Sequence, residues 1–308
     1  MTSAPATTQP SVIDSPFGGS ARLVQTLDVS ILIAKYRHKC AIDVSRWFSG
    51  LCDIHLYECT ETGFRFWQPA SIAGDEVFYH LVGAAWMQYY RTDRWEYRIA
   101  RDFVKQHRQV LEIGAGRGFF LKSLEGVTNH AVGLELNREA ISSKVTKFSI
   151  EHAQLPDIVN RHAESFDVVC AFQVLEHIVD PCELLKDAVR CLRDHGLVIL
   201  STPNLDYPPF RRQDDAFDLP PHHVGHFSES IFRNIACKMK LEVIAIRKEP
   251  RRHVPHRDNT GVDESLGRRY ATTLISGVCN VLYRLQRAPG PNIMVVMQKN
   301  SDPSSALI

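Results

Sequence analysis

The sequence predicts an α/β protein whose mostly parallel sheet carries helices on both faces, and three observations support this class. Short apolar runs between residues 109 and 203 are separated by helix-sized segments, a pattern typical of βαβ units. A glycine-rich turn follows the first of these runs. The composition, with 44% hydrophobic residues and 36 Lys and Arg against 35 Asp and Glu, is that of a soluble globular chain.

The first hundred residues divide into a tail and a cap. Residues 1–20 are rich in Ser, Thr, Pro, Ala and Gly, and we expect them to be disordered because they bury little apolar surface. Residues 21–100 are expected to form an N-terminal cap region. Within it, residues 54–59 and 64–69 alternate apolar and polar side chains around a turn with Gly63, which predicts a β-hairpin. Two helices rich in aromatic residues are expected over 75–107.

Residues 101–300 are expected to form the main domain, followed by a tail at 301–308. Apolar runs predict five strands of the parallel sheet, at 110–113, 131–135, 147–150, 166–171 and 197–201. Two more strands, at 241–246 and 292–297, flank a predicted helix at 266–286. Both would extend the same sheet.

Charge and cysteine content limit the partners and the compartment. A net charge of +1 gives no long-range electrostatic attraction to polyanions, so we expect no nucleic-acid partner. No apolar stretch reaches the ~20 residues of a spanning helix, so none is predicted. The eight cysteines are scattered and no leader pattern precedes them, which suits free thiols in the cytoplasm. A homodimer is left open.

The strongest motif is a glycine-rich turn between a strand and a helix, with Glu112, Gly114, Ala115, Gly116 and Gly118. Glycines let a backbone approach a ligand closely and direct amide groups at it from a helix N-terminus. A carboxylate ending the next strand can accept both hydroxyls of an adenosine ribose, and Glu135 stands there.

The spacing of the glycines separates two classes of cofactor. A nicotinamide dinucleotide site usually has its third glycine where Phe119 stands. Glu112 would repel a pyrophosphate, yet it could hydrogen-bond, directly or through water, to a cationic amino-acid group. Both observations favour S-adenosyl-L-methionine.

Residues 108–204 resemble the class I (Rossmann-like) S-adenosylmethionine-dependent methyltransferases. The resemblance is carried by residues 110–118, Glu135, and the segments 166–169, 172–178 and 196–204. It implies a seven-stranded sheet whose last strand is antiparallel. It also implies that Gly114 to Gly118 line the methionine end of the cofactor and that Gln173 lies under the sulfonium. Ribose contacts would come from Glu135 and Leu136, and adenine contacts from Ser149, Ile150 and Glu151.

Four histidines are candidates for the base that takes a proton from an alcohol acceptor. His222, His223 and His226 share a loop that resembles the Pro-His-His segment of methyltransferases acting on sugars and small molecules, and His177 follows the fourth strand. His223 is the first choice. Each has a structural alternative: His177 could bond a backbone carbonyl, and His222 and His226 could cap the helix that Ser228 opens.

Two groups of side chains could in principle hold a metal ion, but no metal is predicted. His222, His223 and His226 could meet at one ion, but no carboxylate lies at an obvious ligand spacing, although Asp214, Asp215 and Asp218 are near in sequence. Some sugar methyltransferases of the family carry an N-terminal zinc module with paired C-x-x-C knuckles. Here Asp43 and Thr62 stand where the partners of Cys40 and Cys59 are needed, so a four-thiolate site cannot form.

The cap and one basic segment are the remaining candidates for acceptor binding. A metal-free hairpin is expected to cover the acceptor pocket, where Phe66, Trp67, Tyr79 and Tyr90 either stack on a ring or pack in the core. The basic segment 247–257 is either a solvated loop or, through Arg251 and Arg252, a site for an acidic acceptor.

Together these features predict O-methylation of a sugar, glycan precursor or small hydroxylated metabolite with a histidine base. The acceptor is therefore a small molecule or glycan. Three alternatives stay open: C- or N-methylation of a similar molecule, a nucleotide-cofactor oxidoreductase, and a methyltransferase-like binding protein without catalysis.

Overall fold

The structure, a computed structural model, describes residues 11–85, 94–104, 109–207, 215–250 and 290–301. The predicted helix at 266–286, Tyr90, Asp214, Arg251 and Arg252 lie outside these residues, as do 1–10 of the first predicted tail and 302–308 of the second. In the described part, seven cysteines are free thiols and no helix has the length and apolar character needed to cross a membrane.

An antiparallel N-terminal sheet contains the predicted hairpin but is larger than expected. Its five strands, in spatial order, are β1 (Val12–Asp14), β2 (Ser20–Asp28), β3 (Asp53–Cys59), β4 (Arg65–Gln68) and β10 (Gly225–His226). The last strand lies far along the chain from β4, in the loop with His222, His223 and His226, which we call the histidine loop. The sheet therefore joins the cap to the loop that carries candidate bases.

The tail predicted over 1–20 is wrong from residue 12 onward, because β1 and the turn into β2 occupy that stretch. Phe17 explains the difference. Its side chain is 2% exposed and lies edge-on to Phe64, with ring centroids 5.1 Å apart. This buried aromatic side chain and the pairing of β1 with β2 hold a segment whose composition otherwise indicates disorder.

The larger sheet has seven strands in the order β11-β12-β9-β8-β5-β6-β7. The parallel strands are β5 (Gln109–Ile113), β6 (His130–Glu135), β7 (Ser149–His152), β8 (Phe166–Phe172) and β9 (Leu192–Pro203). β12 (Asn292–Lys299) runs antiparallel between β9 and β11 (Leu241–Lys248). The predicted seven-stranded fold with an antiparallel last strand is confirmed.

Eight α-helices are described around the sheets. They are α1 (Val29–Cys40), α2 (Glu76–Ala85), α3 (Trp95–Val104), α4 (Phe119–Ser123), α5 (Arg138–Ser142), α6 (Leu155–Ile158), α7 (Pro181–Cys191) and α8 (Glu229–Lys238). Asp28, Asp180 and Ser228 cap α1, α7 and α8 with side-chain oxygens. The two helices predicted between 75 and 107 correspond to α2 and α3.

Alternating side chains of the central strands supply both faces of the large sheet. Val110 and Val168 pack with Trp95 and Ala100 of α3 on one face. Leu111 packs on the opposite face, in the core that also contains side chains of α6, α7 and α8. The domain boundary expected at residue 100 is therefore wrong, because it cuts through α3, whose buried side belongs to the main domain.

Candidate active site

A cavity of about 1390 Å³ opens where the carboxyl ends of β5, β6, β7 and β8 meet, the usual ligand position in such sheets. The glycine-rich turn and Glu135 form one part of its wall. His177, His222 and His223 form another. We call the first part the cofactor half and the second the acceptor half.

The glycine-rich turn has a backbone that only glycine adopts readily. Gly114 has φ +68°, and a Cβ there would come within 2.5 Å of a methyl carbon of Val174. Gly118 has φ +79° and directly precedes α4. Both positions need glycine for backbone and space, and Gly114, Ala115 and Gly116 line the cavity.

Glu135 is held in place by backbone amides. Gly116 N donates to Oε2 at 2.7 Å, while Leu136 N and Asn137 N donate to Oε1 at 2.9 and 2.8 Å. Because these amides fix the carboxylate, its remaining lone pairs face the cavity with little freedom to turn. Leu136 and Gln173, the other predicted contacts in this half, also line the cavity.

Glu112 is 2% exposed and lies behind the glycine turn. Its Oε2 has no hydrogen-bond partner in the described part of the chain. Burial, and then the charge of Glu135, raise the pKa of Glu112 well above its ordinary value, while Arg94 opposes the shift. Neither Glu112 nor Gly118 is among the residues that line the cavity, so the contact of Glu112 with a cationic amino-acid group, directly or through water, stays a prediction.

The adenine contacts predicted at Ser149, Ile150 and Glu151 are not among the residues that line the cavity. β7 begins two residues later than expected and runs to His152, which pairs with Glu135. The cavity wall therefore starts at the end of this strand, and its residues here are His152, Ala153, Gln154, Leu155 and Pro156. The adenine contacts therefore stay a prediction, while the bounds predicted for β7 were two residues early because the apolar pattern did not mark where the strand ends.

The acceptor half contains three histidines that the fold brings together, His177, His222 and His223, which we call the imidazole cluster. One ring nitrogen from each lies within 4.8 Å of the others. The rings of His222 and His223 stack with centroids 4.4 Å apart, and that of His177 lies 4.6 and 5.1 Å from them.

Hydrogen bonds orient two of the rings. His177 Nδ1 donates to the carbonyl of His222 at 2.6 Å, and His222 Nδ1 donates to the carbonyl of Phe217 at 2.9 Å. The structural alternative for His177, a bond to a backbone carbonyl, is therefore confirmed. Because the acceptors are carbonyls, both Nδ1 atoms carry hydrogen and Nε2 keeps its lone pair in the neutral rings.

Burial keeps the imidazole cluster neutral. Loss of water around the ring lowers the pKa of His177 to about 4 and the pKa values of His222 and His223 well below 6.5. Their mutual proximity lowers the pKa values of His222 and His223 further. At neutral pH the three rings can accept a proton or a metal ion.

His226 is not part of this cluster, which corrects its prediction as a candidate base. It is 1% exposed, lies on β10 and points its ring toward Trp67, outside the cavity wall. The capping alternative for His222 and His226 is also wrong. Ser228 caps α8 itself by accepting from Ile231 N at 3.4 Å.

The cap positions the histidine loop through backbone contacts. Tyr36 Oη donates to the carbonyl of Leu219 at 2.9 Å, and Gly74 N donates to the carbonyl of Pro221 at 2.8 Å. Val224 N donates to the carbonyl of Glu176 at 2.8 Å, which links the loop to the segment after β8. Three distant parts of the chain thus hold the imidazole cluster.

Of the aromatic residues predicted to stack on an acceptor ring, Tyr79 lines the cavity, with its ring edge-on to His177 at 5.5 Å. Phe66 and Trp67 are 4% and 2% exposed, lie in hydrophobic cores and are absent from the cavity wall. For these two residues the core-packing alternative is correct.

Sequence reasoning missed a group of buried charges beside the cavity. Arg94 lies 3.5 Å from Glu96, which is 2% exposed. Glu176 is 1% exposed, and neither carboxylate oxygen has a hydrogen-bond partner among the described residues. Burial raises the pKa of Glu176 to about 8. Glu176 belongs to a segment that carries the family resemblance, and this was the available signal.

The described wall of the cavity is acidic, with twelve carboxylates against four arginines. The carboxylates are Asp75, Glu76, Glu96, Glu135, Glu139, Glu176, Asp180, Glu183, Asp187, Asp215, Asp218 and Glu249. This charge favours cations over phosphates. The anionic acceptor predicted from Arg251 and Arg252 gains no support from these residues.

Comparisons with known proteins agree with this geometry. The family described as "Methyltransferase domain" matches residues 87–246, just over half of the chain. A "Ubiquinone biosynthesis O-methyltransferase" of Aromatoleum aromaticum is 27% identical over 110 residues, which cover 33% of this chain and 47% of the relative. A "Probable S-adenosylmethionine-dependent methyltransferase" of Mycolicibacterium smegmatis is 32% identical over 100 residues, covering 32% and 38%. The matches span less than half of these relatives.

A solved structure shows the same fold. A chain in the complex between the Haloferax volcanii Trm112 methyltransferase activator and a methyltransferase aligns with a TM-score of 0.50 and 14% identity, covering 68% of this chain and 90% of that one. The strand order, the glycine-rich turn and the family match lead to one conclusion: the chain belongs to the methyltransferase-domain family, with the class I fold whose cofactor is S-adenosyl-L-methionine.

Proposed function

We propose that the protein transfers the methyl group of S-adenosyl-L-methionine to a hydroxyl of a sugar, glycan precursor or small hydroxylated metabolite, with His223 as the base. One observation carries this proposal: a neutral imidazole cluster lines the same cavity as the cofactor half. Methyl transfer to an alcohol needs a group that removes the hydroxyl proton as the new bond forms.

The cofactor half has the residues to hold and orient the cofactor. Gly114, Ala115 and Gly116 provide a close backbone, and Glu135 provides acceptors for the ribose hydroxyls. Glu112 is buried behind the turn and off the cavity wall, from where it would act on the amino group through water. Bound S-adenosyl-L-methionine supplies an electrophilic methyl group on a sulfonium. The rigid glycine turn limits the positions that the bound cofactor can take. This favours an in-line approach of the acceptor oxygen to the methyl carbon.

In the acceptor half, His223 is neutral and lies on the cavity wall. When it takes the hydroxyl proton it becomes a cation in a buried environment, which is costly without a countercharge. Asp218 provides one, since its Oδ1 lies 3.9 Å from His223 Nδ1. The low pKa of His223 keeps the base ready at neutral pH, and Asp218 offsets the charge that proton uptake creates.

A panel of acceptors tests the proposal. The purified protein is incubated with methyl-labelled S-adenosyl-L-methionine and with sugars, nucleotide sugars and small phenols, each paired with an analogue lacking one hydroxyl. We expect label in an ether at that hydroxyl and none in the paired analogue. Label on an amine or carbon would contradict the O-methylation, and no transfer to any member would favour a binding protein.

Calorimetry distinguishes the proposed methyltransferase from the alternative, a nucleotide-cofactor oxidoreductase. We expect S-adenosyl-L-methionine to bind and NAD not to bind, because Phe119 replaces the third glycine of a dinucleotide site. Tighter binding of NAD would contradict the proposed function.

A further inference from the structure

The imidazole cluster has the geometry of a metal site that needs little adjustment. One ring nitrogen of each of His177, His222 and His223 lies within 4.8 Å of the other two. In a tetrahedral zinc site, ligand nitrogens about 2.05 Å from the ion lie roughly 3.3 Å apart. Each imidazole would move inward by roughly 1 Å or less to reach that spacing, within the range of small side-chain rotations.

Two of the three rings are already held as metal-ligating histidines usually are. His177 and His222 each donate an Nδ1 hydrogen to a backbone carbonyl. Such bonds fix the tautomer and the ring orientation and leave Nε2 as the ligand atom. The sequence suggested His222, His223 and His226 as a metal trio, but the fold replaces His226 with His177.

Two carboxyl groups lie beside the cluster, and a cation bound there would favour their ionised forms. Glu176 Oε1 lies 3.9 Å from His177 Nε2, and Asp218 Oδ1 lies 3.9 Å from His223 Nδ1. Glu176 is 1% exposed, and its two oxygens have no hydrogen-bond partner in the part of the chain that the structure describes. The absence of a suitably placed carboxylate, which argued against a metal at the level of sequence, no longer holds.

The donor set selects the class of ion. Imidazole nitrogens suit zinc, copper, iron and nickel, whereas magnesium and calcium take oxygen ligands. We infer that the imidazole cluster binds one divalent first-row transition metal ion through His177, His222 and His223, with Glu176 as the nearest buried countercharge.

The site bears on methyl transfer only through the proposed function, on which that consequence rests. A metal ion on these nitrogens takes the lone pair with which His223 would accept the hydroxyl proton. The metal-loaded protein therefore lacks an available base. We expect zinc to inhibit methyl transfer and a chelator to restore it.

Zinc and cobalt binding test the site without reference to activity. The full chain, freed of any affinity tag and stripped with a chelator, is titrated with Zn²⁺ by calorimetry and with Co²⁺ by visible absorption. We expect one equivalent of Zn²⁺, a Co²⁺ absorption band from nitrogen coordination, and no binding of Mg²⁺. His177→Gln and His223→Gln should each lower zinc affinity at least about tenfold, since even outer-shell partners are worth about 10- to 100-fold.

His80→Ala is the matched control, because this exposed histidine lines the same cavity outside the cluster and should leave zinc affinity unchanged. Circular dichroism melts without metal show whether the variants fold. Equal zinc affinity in the parent and both cluster variants, or no Co²⁺ band, would overturn the site. Methyl transfer that requires zinc would confirm the site and overturn His223 as base. Zinc binding by a protein that, stripped of metal, transfers to no acceptor would contradict only the proposed function.

Discussion

The two halves of the cavity are built in different ways. In the cofactor half, residues close in sequence hold one another, since Glu135 accepts from the amides of Gly116, Leu136 and Asn137. In the acceptor half, the histidine loop is also held by segments far away in sequence, as when Tyr36 of α1 donates to the carbonyl of Leu219. The first half is a local motif and the second is an assembly.

Charge differs between the halves as well. The carboxylate of Glu135 is satisfied by three amides, whereas the buried side chain of Glu176 has no hydrogen-bond partner in the described structure. An unsatisfied buried group costs stability, and such costs cluster at functional sites. On the cavity wall this cost therefore falls on the acceptor half, whereas Glu112, which has an unpaired oxygen too, lies behind the cofactor half and off the wall. Changes in the acceptor half should separate chemistry and stability from cofactor binding.

The largest effect is expected from His223→Gln. Loss of a general base lowers kcat about 10²- to 10⁴-fold. Cofactor affinity should stay the same, because the glycine turn and Glu135 are untouched. Steady-state kinetics and calorimetry with S-adenosyl-L-methionine measure the two quantities. His226→Gln is the control, since this buried histidine of the same loop lies off the cavity and should keep kcat near the parent value. A parallel loss in both variants would indicate damage to the loop instead.

A change of a few kcal/mol in stability is expected from Glu176→Gln at alkaline pH. Between the ordinary value near 4.5 and the folded pKa of about 8, the unfolded state has lost its proton and the folded state has kept it. The parent protein therefore loses stability as pH rises through this window, by up to about 1.4 kcal/mol per pH unit. The glutamine variant has no such proton. Its stability relative to the parent therefore grows as the pH rises from the ordinary pKa near 4.5 to the folded pKa of about 8.

Urea denaturation of the parent and the Glu176→Gln variant across that range measures the difference. The two stability curves should converge near pH 4.5 and separate toward pH 8. Curves that run parallel over the whole range would show that Glu176 is ionised in the folded state, and would remove the charge contrast between the halves.

An intermediate effect is expected from Glu135→Ala in the cofactor half. Loss of paired bonds to the ribose hydroxyls should weaken binding of S-adenosyl-L-methionine by about 1 to 3 kcal/mol, measured by calorimetry. Glu139→Ala removes an exposed carboxylate from the same cavity wall and should change affinity little. Similar losses in the two variants would mean that general negative charge, and not the position of Glu135, holds the cofactor.

The smallest effect is expected from Tyr36→Phe, which removes one hydrogen bond to the histidine loop, worth about 1 kcal/mol. Acceptor KM should rise while cofactor affinity stays constant, because the bond supports only the acceptor half. If cofactor affinity fell and acceptor KM did not, the assignment of the two halves would be reversed.

The same contrast explains what the sequence could predict. Glycines and a strand-ending acid in contiguous segments identified the cofactor half and the seven-stranded sheet, because local motifs keep their spacing. The strand predicted at 147–150 was placed two residues early because apolar patterns define strand interiors better than strand ends. The histidine trio contains His177 in place of the expected His226, because the pairing of β10 with β4 turns His226 away from the cavity. No local sequence pattern encodes a contact between segments so far apart in sequence.

The family match begins at residue 87, yet four of the five strands in the sheet that includes the histidine loop precede it. A fragment trimmed to the matched region would leave Gly225–His226 as an unpaired edge and strip the cover from Phe227, which packs against Phe64. The region matched by sequence comparison and the region that folds as a unit therefore have different boundaries. If the segment before residue 87 were exchanged between relatives, part of the cavity wall would be exchanged with it.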